Sequence, residues 1–301
     1  MKKLFLLVPL LSILVLSSCK SPQEEQLTEF VPYPNAELLV DVDELNHLLL
    51  DEDTFLIDAR SDVSGSFIPD AVHFSARREL GDPDHSVNNF LIGPAAFEEK
   101  MRALGLNQDH KVVIMDEGNS LDAARLFYAL EYYGFANASI LDGGLAAWVE
   151  EGYPTSEEPN QAEPGNFAAE VQPARFCDYE TIVLASSDPN KIILDVRSEG
   201  EYTGEVKRAD KNGHIPNAVH LEWSDVLKSE GIPYFKPANE IREIYASAGL
   251  TPDKEIIPHC QSNVRGSHTY FTLRLMGYDS VRPYEGSWEE YGNREESVVV
   301  Q

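Results

Sequence analysis

Thiols are scarce in this chain: three cysteines, Cys19, Cys177 and Cys260, stand among 301 residues. So few cannot make the disulfide framework on which small secreted domains rely. Basic residues are also scarce, 24 Lys and Arg against 51 Asp and Glu, for a formal charge of −27. That balance argues against a nucleic-acid partner, because phosphate backbones are bound through a basic footprint. Long apolar runs are missing too. The run from Leu4 to Leu16 is too short to cross a bilayer as a mature helix. What is present is a hydrophobic content of 43%, enough over this length for one large or two ordinary domains.

The opening MKKLFLLVPLLSILVLSSCKS has two lysines, a short apolar run and small residues before Cys19, the layout of an export signal. Leu16 to Cys19, LSSC, resembles the lipobox of bacterial lipoproteins, in which the cysteine becomes the lipidated first residue. The expectation is a signal peptide over 1–18, a polar tether over 19–30, and a protein held in the bacterial cell envelope, outside the cytoplasm, by a lipid anchor on Cys19; the membrane face stays open. Loss of Lys2 and Lys3 would leave 22 basic against 51 acidic residues, a charge of −29.

The rest of the chain repeats itself. LIDAR (Leu56–Arg60) returns as LDVRS (Leu194–Ser198), FIPDAVHF (Phe67–Phe74) as HIPNAVHL (His214–Leu221), PAAFEEKMRALGL (Pro94–Leu106) as PANEIREIYASAGL (Pro237–Leu250), KVVIMD (Lys111–Asp116) as EIIPHC (Glu255–Cys260), and LDGGLAAW (Leu141–Trp148) more weakly as PYEGSWEEY (Pro283–Tyr291). Five matches in one order, at offsets of 137 to 147 residues, read as an internal duplication. The stretch PTSEEPNQAEPGN, Pro154 to Asn166, has linker composition. The expected organisation is a first copy over 31–155, a linker over 156–166 and a second copy over 167–296. Short apolar runs alternate with amphipathic stretches such as AARLFYALEYYG (Ala123–Gly134). That pattern predicts an α/β fold with one parallel, helix-covered sheet per copy.

In such folds ligands gather beyond the carboxyl ends of the strands. Asp58, Asp195, Asp116 and Cys260 all fall there. The first two are expected to fix loops by accepting backbone hydrogen bonds. Cys260 opens HCQSNVRGSH (His259–His268), a tight turn into a helix whose first amides lack intrahelical acceptors and are available to an anion. Arg265 adds a fixed positive charge, so Cys260 is expected to serve as a nucleophilic thiolate. Asn263 suits a left-handed backbone, and Ser262 can offer a hydroxyl. His259 reads equally as a tuning group or a structural one. Cys177, with no arginine or turn motif beside it, reads as an inert thiol. The first copy has DEGNSLDAAR (Asp116–Arg125) in the same place, with Asp116 expected to replace the thiol and Leu121 to replace Arg265. Such a loop would not bind an anion, making the first copy a non-catalytic partner.

These motifs together, LDVRSEGEYTG (Leu194–Gly204), GHIPNAVHLEW (Gly213–Trp223), HCQSNVRGSHTYFTLRLMGY (His259–Tyr278) and YEGSWEEYGN (Tyr284–Asn293), resemble the tandem rhodanese family of thiosulfate and 3-mercaptopyruvate sulfurtransferases. The resemblance implies transfer of a sulfane sulfur through a persulfide on Cys260, from a small sulfur anion to cyanide or a thiol. It implies no metal and no organic cofactor. It also implies substrate contacts from Arg197 and from the loop Gln261, Ser262, Asn263, Val264 and Arg265. CQSNVR departs from the usual loops, which carry glycine at Asn263 and threonine at Arg265, so both donors stay open, with thiosulfate favoured by two arginines beside the thiol. The basic stretch EVKRADKNGH (Glu205–His214) is either an anion-steering patch or a solvated insertion. Two other readings remain: cysteine phosphatase chemistry, against which the four residues between Cys260 and Arg265 count, and a non-enzymatic envelope binding module.

Overall fold

The computed structural model describes residues 31–301 except Asp62 and Ser64; the expected signal, tether and Cys19 lie outside the described residues. The first copy runs β1 (Leu39–Val40), α1 (Val42–Leu48), β2 (Thr54–Asp58), β3 (Val72–His73), α2 (Ala76–Glu79), α3 (Pro94–Leu104), β4 (Lys111–Met115), α4 (Leu121–Tyr132), β5 (Ala138–Leu141) and α5 (Gly144–Glu150). The second runs α6 (Tyr179–Ala185), β6 (Lys191–Asp195), α7 (Glu199–Thr203), β7 (Val219–His220), α8 (Ala238–Ser247), β8 (Glu255–His259), α9 (Val264–Leu275) and α10 (Ser287–Tyr291). The first helix of each copy is capped alike, by Asp41 accepting from Glu44 N and by Asp178 accepting from Thr181 N, which satisfies amides that have no partner inside the helix.

The first sheet has the order β1-β5-β4-β2-β3, and the second β7-β6-β8, with parallel pairing throughout. The matching outer part of the second sheet is reduced to parallel bridges, Cys177 to Tyr284 and Ile256 to Val281. In the central strands, four of five residues are buried in β4, β6 and β8, as expected where helices cover both faces. The main cluster of buried apolar residues draws on both copies, and each copy keeps a smaller cluster of its own. Helix α4 packs on α9 through Phe127 edge-on to Phe271 (ring centroids 5.0 Å apart) and Tyr128 edge-on to Tyr270 (5.3 Å).

The boundaries differ from the expected ones. Residues 156–172 run along the first copy: Ser156 and Phe67 exchange both backbone bonds at 2.9 Å, Asn160 N donates to Ala71 O at 2.7 Å, and Phe167 N to Leu106 O at 3.0 Å. Phe167 is fully buried against Phe97 and Phe135. Its apolar ring therefore packs on the first copy's side of the shared cluster instead of opening the second copy, and the linker composition marks an irregular strap. At the other end Val300 pairs with His214, so the second copy extends past residue 296.

Candidate active site

Strand β8 delivers Cys260, which is 1% exposed, to the mouth of α9. The turn between them is closed by Asn263, at φ 56° and ψ 17°, the left-handed region that asparagine tolerates better than most side chains. Its Nδ2 donates to Glu285 Oε2 at 2.6 Å, and Gly266 is required because a Cβ there would collide with Asn263 Oδ1. The segment 284–289 grips the turn. Ser287 Oγ accepts from Cys260 N (3.3 Å) and Asn263 N (3.1 Å), while Trp288 N and Glu289 N donate to the carbonyls of Cys260 and Gln261 at 2.9 Å. Among the described residues nothing accepts from the amides of Gln261, Ser262 or Val264. Open amides at the start of a 12-residue helix favour negative charge.

Arg265 stands beside the thiol, and its guanidinium grips Glu201 with two bonds of 2.7 and 3.1 Å. Burial alone would weaken its charge, but Glu201 and the Cys260 sulfur hold it protonated. Glu201 is itself fixed by Ser198 in a capping box. Burial raises its carboxyl, yet the bonds and charge of Arg265 outweigh that and bring it down to about 2. Arg197 is buried, donating through Nε and Nη2 to Asp195 (2.5 to 3.1 Å) and through Nη2 to Gly213 O (2.7 Å). Its guanidinium lies 4.2 Å over the Trp288 ring. Only Nη1 has no protein partner among the described residues, so most of the group expected to meet substrate serves to tie β6 to the loops around it. Asp195 and Asp58 accept the amides of Arg197 and Arg60, the loop-fixing role expected of them.

His259 is fully buried; burial pushes its imidazole down to about 4, and neither ring nitrogen has a hydrogen-bond partner. The ring is neutral and enclosed, with Nε2 3.6 Å from Asp195 Oδ2, and it makes no structural hydrogen bond. Burial pushes the Cys177 thiol up to about 12, in keeping with an inert group. Gln261 Nε2 donates to Glu289 Oε2 at 2.8 Å, and Ser262 and Val264 are half-buried at the turn. The basic stretch is partly structural: Lys211 Nζ donates to the carbonyls of Arg294, Glu295 and Ser297 (2.6 to 2.7 Å), and Arg208 pairs with Glu201 at 3.4 Å.

The twin loop explains itself. Ser120, at φ 58° and ψ 15°, occupies the place of Asn263, but four positions separate it from Asp116 where three separate Asn263 from Cys260. The extra residue puts Asp122, not Leu121, opposite Arg265. It pairs with Arg77, a reversed charge relative to the second copy. Asp116 fills the turn with its own carboxylate, accepting from Gly118 N (2.9 Å), Ser120 N (3.1 Å), Asp122 N (3.0 Å) and Ala123 N (3.3 Å). The loop thus fills its own turn with a carboxyl, and burial together with nearby Asp122 pushes that carboxyl up despite the amide bonds.

Several residues that matter here carried no separate signal in the sequence. Glu201, Glu285, Ser287 and Trp288 sat inside motifs whose repetition was legible while their side-chain partners were not. Arg125 belongs to the first copy, and nothing local announces that it reaches Glu285.

The model of the rhodanese-like domain matches residues 41–151 and 181–294. The chain belongs to the rhodanese family. A putative thiosulfate sulfurtransferase of Saccharopolyspora erythraea is 34% identical over 81% of this chain and 86% of its own length. The sulfur carrier protein TtuD of Thermus thermophilus is 32% identical over 87% and 95% respectively. Among solved structures, the 3-mercaptopyruvate sulfotransferase SseA of Escherichia coli superposes with a TM-score of 0.75 at 29% identity, over 83% of this chain and 98% of that one. As a rhodanese family member with such relatives, the protein is a sulfurtransferase that takes sulfur from a donor and passes it to an acceptor.

Proposed function

We propose that Cys260 carries the sulfur as a persulfide and that thiosulfate is the donor. The Cys260 thiolate attacks the outer sulfur of thiosulfate; a sulfur–sulfur bond forms, the donor's own sulfur–sulfur bond breaks, and its electron pair leaves with sulfite. A nucleophilic acceptor, cyanide or a thiol, then attacks the terminal sulfur and releases the thiolate. The observation that carries this reading is the pair of homologous turns. In the first copy the turn encloses a carboxylate with four amide bonds, whereas in the second a thiol stands at open amides beside Arg265. Preorganised donors of this kind favour the anions on both sides of the transfer.

A second donor, 3-mercaptopyruvate, is favoured by one observation: Arg197 and Arg265 already have carboxylate partners, Asp195 and Glu201. Two paired guanidiniums offer a dianion less than two free ones would, which weakens the charge argument for thiosulfate. Steady-state transfer to cyanide from each donor tests the choice. A higher kcat/KM with thiosulfate is the expected result; a preference for 3-mercaptopyruvate overturns it and leaves the thiol's role standing.

A further inference from the structure

The first copy reaches the cysteine turn at both of its ends. At the inner end Arg125 of α4, 2% exposed, forms a two-bond ion pair with Glu285, Nη2 to Oε1 at 2.6 Å and Nη1 to Oε2 at 3.1 Å. Glu285 also accepts from the first copy's Leu91 N at 2.9 Å and from Asn263 Nδ2 at 2.6 Å. Arg125 is oriented in turn by Asn89 O at 2.9 Å. At the outer end the first copy's Asn88 Nδ2 donates to Glu289 Oε1, and Gln261 Nε2 to Glu289 Oε2, both at 2.8 Å. Each path crosses from the first copy to a carboxylate of the 285–289 segment and stops at a residue of the turn that follows Cys260, Gln261 at its near end and Asn263 at its far end.

We propose that Arg125 and Asn88 are positioning residues for sulfur transfer: through Glu285 and Glu289 the first copy fixes both ends of the turn that presents Cys260. The inference rests on Cys260 as the reacting thiol. Asn263 holds a left-handed backbone, a conformation that persists only where its surroundings over-determine it, and Glu285 supplies the bond that holds its side chain. A buried carboxylate without its arginine is not a stable anchor, so the Arg125 pair holds Glu285 in the bidentate arrangement in which Oε2 also accepts from Asn263 Nδ2. Displacement of the turn by a fraction of an ångström would move the sulfur and the open amides relative to the donor, and such misplacement lowers turnover more than binding.

The test compares kcat and KM, with whichever of the two donors the wild type turns over faster, in full-length Glu285→Gln, Arg125→Lys, Asn88→Ala and Cys260→Ser. The expected result is a kcat lower by about 10- to 100-fold in Glu285→Gln, a smaller loss in Arg125→Lys, which retains the charge, and about threefold in the exposed Asn88→Ala. KM should stay within about twofold in all three. Wild-type kcat in folded Glu285→Gln or in Asn88→Ala overturns the proposal, as does a loss confined to KM. If Glu285→Gln does not fold, Arg125→Lys decides by the same two criteria. Turnover surviving in Cys260→Ser overturns the role of the thiol instead, so the two failures are distinguishable.

Discussion

Arg265 is the residue whose chemistry the sequence stated most directly, and the structure adds what the sequence withheld, its bond to Glu201. A guanidinium already committed on one side can still stabilise charge developing on the sulfur, because it is fixed in place before the reaction begins. Arg265→Ala is expected to reduce kcat/KM by about 10²- to 10³-fold, the scale of deleting one preorganised donor, in assays of transfer to cyanide. A loss of less than about threefold would contradict the role. His268 shows a different limit of the sequence. No motif reading singles it out, and it is fully buried, stacked on Phe235 and edge-on to Trp223, with neither ring nitrogen bonded. Burial pushes its imidazole down to about 3, so the folded chain resists a proton that the unfolded chain accepts below its ordinary value near 6.5. Stability from this group is complete above that value and falls as pH drops toward 3, by about 1.4 kcal/mol per pH unit. His268→Phe should therefore gain on the wild type in urea midpoint at pH 5 relative to pH 7. An identical difference at both pH values would show that the ring does not titrate as its burial requires.

At the scale of elements, strands and helices were legible because their apolar periods are strong, and the duplication fixed their order twice over. Two boundaries were not. Phe167 looks like the start of a new unit after a proline-rich stretch, and only tertiary packing against Phe97 and Phe135 shows that it closes the old one. The loop before α4 departs by a single residue from equal spacing, and the left-handed position at Ser120 reveals the insertion that brings Asp122 into the place of Arg265. The same comparison sets up a prediction. Asp116 satisfies four amides at that turn, so Asp116→Ala leaves buried donors without partners and should cost about 1–3 kcal/mol of stability. Sulfur transfer at 25 °C should remain within about threefold of wild type, because Asp116 touches neither thiol nor cradle of the second copy. Chemical denaturation and the cyanide assay on one preparation check both halves; unchanged stability or lost turnover would each count against the reading of this loop as a turn filled by its own carboxyl.

For the whole molecule, the acidic balance of 51 carboxylates to 24 cations leaves attraction of a small anion to local features, namely the α9 mouth and Arg265. The family and the two-copy plan were legible because several motifs recur in one order. The union of the copies was not, because it depends on contacts between residues more than a hundred positions apart, such as Arg125 with Glu285 and Asn35 N with Leu275 O at 3.1 Å. The export reading of the first residues remains a proposal: acylation of Cys19 predicts the corresponding mass on the N-terminal peptide of membrane-extracted protein, and an unmodified Cys19 in mature protein would dismiss the anchor. The central claim is that Cys260 carries the sulfur, and one measurement reaches it directly. Purified protein is incubated with thiosulfate without acceptor, digested without reductant and examined by mass spectrometry before and after cyanide. The account predicts one added sulfur atom on the peptide bearing Cys260, removed by cyanide, absent from Cys260→Ser and absent from Cys177. Sulfur found on Cys177, or turnover with Cys260 never modified, would contradict it.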